Sequence, residues 1–255
     1  MSRLFRKFRK EIIAKGKIQK YLLYALGEVI LLVIGILIAL AINNNNLKNQ
    51  NRAKEQIYLK GLKEDFLISQ AKLQELIKVN RNNLEHAKKI IQGDPEDPNI
   101  PESQFSQWIV EALAYEISFN PNNSLLFEMI NSGSMKDLSN PELRKFLTDW
   151  VAILEDIHQQ ESELSMQREN VIAIFDLEGY SIRKILDQAG VTQELGISEG
   201  NFQKSNLGIL NSISFENRLL TFILTSQATE DAHYLPLLTK LESILALIEK
   251  EIDPE

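Results

Sequence analysis

The chain has no cysteine, three histidines and two tryptophans among its 255 residues. The missing thiols exclude disulfides, thiolate metal centres, iron–sulfur clusters and cysteine nucleophiles. His86, His158 and His233 lie far apart, and none has a second histidine three or four residues away. No HExxH, GxSxG, Walker or dinucleotide-binding pattern occurs. No internal repeat is visible either. An enzyme, a bound cofactor and a resident metal are therefore not expected.

What is present is an uneven distribution of charge. The total of 28 basic and 35 acidic residues gives a net charge of -7. Residues 1–20 carry eight bases and one acid, Glu11, for +7. Residues 21–42, YLLYALGEVILLVIGILIALAI, contain one ionisable acid, Glu28, and no lysine or arginine. The remaining 213 residues carry -13. As a helix, the apolar run rises about 33 Å, enough for a hydrocarbon core of roughly 30 Å. We therefore expect a basic tail at 1–20, a transmembrane helix at 21–42 and an acidic domain beyond it.

The charge flank predicts a cytoplasmic N-terminus, with the remaining chain on the periplasmic side of a bacterial inner membrane. Lys48, Arg52, Lys54, Lys60 and Lys63 make the asymmetry incomplete. The basic side chains Arg3, Arg6, Lys7, Arg9 and Lys10 suit anionic lipid headgroups. Ala39-Leu40-Ala41 has the small residues of a cleavage site, but the apolar run exceeds a usual signal peptide and reads as an uncleaved anchor. The acidic remainder disfavours nucleic acid.

Within the anchor, Glu28 is costly in hydrocarbon unless protonated, paired or hydrated. It fits an assembly contact, a transport-linked role or simple shallow burial. Gly27 and Gly35, with Ala39 four residues after Gly35, allow close helix approach.

Beyond the membrane the pattern predicts an all-α, bundle-like domain. From residue 43 to about Gln92 a long helix is expected, with Leu59, Leu62, Phe66, Leu73, Ile77, Leu84, Ala87 and Ile91 forming a stripe close to a coiled-coil seam. Asn80 falls on that stripe, either setting register or marking a solvent-facing edge. GDPEDPNIP, residues 93–101, breaks the helix. Residues 93–255 then complete the helical domain.

A second helix is expected through Phe105, Trp108 and Leu113, closed by Asn120-Pro121, followed by a short one ending near Gly133. Pro141 begins another that runs to about residue 166, with VIAIF, 171–175, read as its continuation. Residues 188–214 read as a long loop with room for short helical turns. Phe215 to Ile248 read as helix, kinked or divided at Pro236. Trp108 and Trp150 are expected in the core. Glu155, Asp156, His158 and Glu161 resemble half of a carboxylate metal-bundle pattern, but the companion half is missing and they read as solvated surface. Glu230, Asp231 and His233 carry a weaker version of the same suggestion. Asp94, Glu96 and Asp97 lack an EF-hand's spacing.

KYLLYALGEVILLVIGILIALAINN, residues 20–44, resembles the opening signature of an uncharacterised family of single-pass membrane proteins found mainly in the Bacteroidota. The elements that carry it are Tyr21–Ala25, Gly27-Glu28 and Ile34–Leu40. A second resemblance lies in FNPNNSLLFEMINSGSMKDLSNPELRKFL, residues 119–147, where Asn120-Pro121, Ser132-Gly133 and Leu143-Arg144 fill the family's places. Asn45 departs from the Trp that the family commonly places after the paired asparagines. The resemblance implies an inner-membrane protein with an N-terminal anchor and transfers no catalytic residue.

Arg144 is placed to reach the preceding loop, residues 132–140, or a nearby acid, and the 120–144 region reads as a structural or partner motif. Three functions fit the sequence. The leading one is a non-enzymatic, membrane-anchored protein acting through a homo-oligomer or a membrane-protein partner. A periplasmic sensor or ligand-binding module and a small accessory subunit of a transport or channel complex are the alternatives.

Overall fold

The computed structural model describes residues 18–93 and 101–254, with side chains from Tyr21 onward. Those residues are helical throughout their regular structure, with no strand among them. Helix α1 spans Ile18–Gln92, α2 Glu102–Leu113, α3 Ser124–Ser132 and α4 Pro141–Leu177. Short helices α5 (Ile182–Gln188) and α6 (Val191–Glu194) follow. Helix α7, Ile213–Ala228, passes through a π-helical segment, Thr229–Tyr234, into α8, Leu235–Glu251. The chain divides into two compact units, one up to Gln56 and one from Ile57 onward.

In the first unit, α1 is long and apolar enough to cross a membrane by length and composition, and none of its most apolar stretch is buried. From Leu22 to Ile42 its large apolar side chains are exposed. That is the expected condition of a helix whose surroundings are lipid rather than protein. The basic side chains Arg3, Arg6, Lys7, Arg9 and Lys10 lie outside the described residues, as do Asp94, Glu96 and Asp97.

The second unit is a multi-helix bundle. Leu59, Leu62, Phe66, Leu73, Ile77, Leu84 and Ala87 of α1 are all buried. The stripe closes on Ile90 rather than Ile91, which is only half-buried. Asn80 is fully buried, which removes the solvent-edge alternative: its Nδ2 donates to the Ser226 carbonyl at 3.1 Å and its Oδ1 accepts from Ser226 Oγ at 2.8 Å. Gly61 sits inside α1, where glycine weakens a helix. A Cβ there would stand 2.6 Å from Leu125 Cδ2, so the missing side chain makes room for α3.

One expected boundary moves. Helix α2 stops at Leu113, well before Asn120-Pro121. Residues 117–119 are not helical, and Ile117 and Phe119 are buried on either side of exposed Ser118, the period of an extended chain. Helix α4 runs on to Leu177, in keeping with the reading of VIAIF as its continuation, and Val171, Ile174 and Phe175 keep its buried face at helical spacing. Within residues 188–214, α6 and a 3-10 turn at Leu207–Asn211 are the short helical turns that the long-loop reading allowed.

Pro236 lies in the first turn of α8, directly after the π segment. A proline cannot donate its N–H back into the preceding turn, and a widened turn is one way a helix absorbs that defect. The helical path is therefore maintained from Ile213 to Glu251 rather than divided.

Trp150 anchors the core. It is fully buried, with Phe66 at 5.2 Å between ring centroids and Phe119 at 6.3 Å in an edge-on arrangement. Trp108 is half-buried and packs against the same core.

Candidate functional site

In the apolar stretch of α1, Glu28, Gly35 and Ala39 are separated by seven and four residues. At 3.6 residues per turn these positions fall within about 40° of one another on the helix surface. All three are exposed, as is Gly27, which lies on a neighbouring face. The space beside both glycines is open out to 4 Å.

In the bundle, the extended segment before α3 is fastened on two sides. From α1, Lys72 Nζ donates to the Asn120 carbonyl at 3.0 Å and to Asn122 Oδ1 at 2.7 Å. Ser69 Oγ, itself donating to the Asp65 carbonyl, accepts from Asn122 N at 2.8 Å. From α4, Trp150 Nε1 donates to Asn123 Oδ1 at 3.1 Å. That bond takes the side chain that would otherwise cap α3, so Asn123 makes no capping hydrogen bond.

Helix α3 ends at Gly133 in the left-handed conformation, φ 73°. A β-carbon is disfavoured there. Ser132 Oγ donates to Ser134 Oγ at 2.9 Å across this turn. Helix α4 then starts with Asn140 Oδ1 accepting from Glu142 N at 2.8 Å and Leu143 N at 3.1 Å, and Pro141 occupies a position where its missing N–H costs nothing. Leu143 is fully buried, and Arg144 Nη1 donates to the Leu138 carbonyl at 3.1 Å, thus reaching the preceding loop. Asn120, Ser132, Gly133, Leu143 and Arg144 thus hold the segment before α3, the turn that ends it and the start of α4, and Pro121 is half-buried beside Asn120.

Glu155, Asp156 and His158 are exposed, as the solvated-surface reading expects, and Glu161 alone departs from it. It is 5% exposed, and its Oε1 accepts from the Phe119 N–H at 2.8 Å and from Tyr234 Oη at 2.7 Å. Neither donor was foreseeable from α4 itself. A signal did exist: Glu161 lies four residues after Ile157 and three before Leu164, on the buried stripe. Burial pushes its carboxyl above the usual carboxylate range, against the opposing pull of Tyr234, the Phe119 N–H and His158. Burial and the neighbouring Glu161 charge raise the Tyr234 phenol well above its ordinary value.

Glu161 lines a cleft of about 250 Å³ with Asn120, Ser124, Phe127, Leu154 and His158. A second cleft, of about 520 Å³, lies between α4 and the π segment, where Asp156 and Gln160 face His233 and Pro236.

Glu230 is also buried, whereas Asp231 is exposed and His233 half-buried. Its Oε1 accepts from Arg81 Nε at 2.7 Å. Among the described residues no group of three or more histidine, aspartate or glutamate side chains is placed to hold a metal ion.

No curated protein and no solved structure matches the chain. Residues 28–151 do match the model of a family of unknown function, DUF6090, from within the apolar stretch of α1 to Val151 of α4.

Proposed function

We propose that this protein is a single-pass membrane anchor carrying a helical domain, and that it works through self-association or contact with a membrane-protein partner rather than through catalysis. The observation that carries this reading is the common face of Glu28, Gly35 and Ala39 on an otherwise apolar helix. A carboxyl in hydrocarbon is stabilised by a helix that hydrogen-bonds or pairs with it, and small residues on the same face let that helix approach closely.

The flanking charges favour an N-terminal tail in the cytoplasm, where Arg3, Arg6, Lys7, Arg9 and Lys10 suit lipid headgroups, and an acidic domain in the periplasm. Two groups of opposite charge on either side of one apolar segment suit a fixed orientation.

In-membrane crosslinking at native expression, followed by mass spectrometry, tests the proposal. A discrete crosslinked species is expected in the native chain and a weaker one in Glu28→Gln and Gly35→Leu. A strictly monomeric protein with no retained partner overturns it.

A further inference from the structure

The cleft beneath the extended segment before α3 contains an incompletely used carboxylate. Both hydrogen bonds to Glu161 arrive at Oε1, and Oε2 receives none from any described residue. The residue nevertheless lines the cleft while being only 5% exposed. Oε2 is not among the buried atoms left without a partner, so it opens on the cleft, where a cation or donor can take the place of water.

The walls narrow the choice of group. Phe127 stands 44% exposed at the cleft, and Leu154 and Ile157 supply apolar surface beside it. An aromatic face and a carboxylate in one small cleft suit a cationic nitrogen on an apolar body. The surrounding chain, net -13 from residue 43 onward, favours arrival of positive charge. The start of α3 orients the ligand. With Asn123 engaged by Trp150, its first-turn N–H groups remain uncapped near Ser124, so a cation is disfavoured at that end and directed toward Glu161.

We infer that this cleft binds a primary ammonium group on a short apolar chain, with Glu161 Oε2 accepting from the nitrogen and Phe127 covering the alkyl portion. This site does not depend on how the anchor assembles. The same chemistry is offered by a free alkylamine and by a lysine side chain of another polypeptide.

Trp150 reports on the site, since its indole N–H holds Asn123 and its ring packs edge-on against Phe119. The full chain in non-ionic detergent, carrying Trp108→Phe so that Trp150 is the remaining tryptophan, is titrated with n-pentylammonium, with N-acetyl-lysine amide and with 1-pentanol. Saturable fluorescence change is expected with at least one ammonium probe and not with the alcohol. Binding of both ammonium probes indicates a free amine; binding of the lysine amide alone indicates a peptide side chain; either pattern supports the site. Glu161→Gln should weaken binding at least tenfold. Phe127→Ala, a change at an exposed position that leaves the core intact, should weaken it about fivefold. An absent or non-saturating response to both ammonium probes, an equal response to 1-pentanol, or unchanged affinity in Glu161→Gln overturns the inference.

Discussion

Tyr234 Oη donates to Glu161 Oε1 at 2.7 Å, joining the π segment to the middle of α4 across 73 residues of sequence. Both side chains are buried, so the bond forms where water cannot replace either partner. Tyr234→Phe removes the donor and leaves a buried carboxyl with the Phe119 N–H alone. We expect a loss of about 1.5–3 kcal/mol, read from the urea midpoint with an unchanged slope.

The same carboxyl makes stability depend on pH. Its folded pKa lies above the ordinary 4.5, so between that value and the folded pKa the native state holds more proton than the unfolded chain. The Glu161 contribution is thus full below about pH 4.5 and declines as pH rises through the folded pKa. In Glu161→Gln this decline should vanish, leaving a flatter urea midpoint over that window. An identical slope in both proteins would remove Glu161 as its source.

Asn80 and Ser226 exchange two hydrogen bonds between α1 and α7 at a fully buried position. Asn80→Leu adds apolar surface but strands the Ser226 hydroxyl without its acceptor. A cost of about 1–3 kcal/mol is expected. Thermal unfolding of Asn80→Leu, Ser226→Ala and the pair should show that the double variant loses less than the sum of the two.

The start of α4 offers a smaller, cleaner test. Asn140 caps two backbone N–H groups, and its Nδ2 donates to Glu251 Oε1 at 2.8 Å. Asn140→Ala should cost about 1 kcal/mol, with Asn140→Ser restoring most of it because serine caps equally well. Chemical denaturation distinguishes the two variants.

Much of this architecture could be read directly from residue spacing. The stripe from Leu59 to Ala87, the Asn140-Pro141 start and the Gly133 stop each depend on neighbours within a turn or two, which periodicity and capping rules capture. The exposed apolar segment after Tyr21 was legible for the same local reason.

The cleft was not, because its parts meet only in three dimensions. Glu161 follows His158 and looks like a polar face until Phe119 and Tyr234 close over it. Phe119 itself belongs to a segment whose apolar residues alternate, so a helical reading of residues 114–120 failed there. Asn80 was ambiguous until Ser226, 146 residues away, supplied both partners. Helix α5 escaped notice because seven residues are too few to establish a period.

The π segment also changes how related chains should be aligned. A π turn is an α-helix holding one surplus residue. Between Thr229 and Tyr234 a one-residue deletion can therefore be absorbed by return to ordinary helix, while elsewhere in α7 or α8 it would rotate every later side chain by about 100°. Relatives with a gap of one position at this point should place a residue other than tyrosine opposite Glu161. The bundle thus contains its own marker for where length can vary without breaking register.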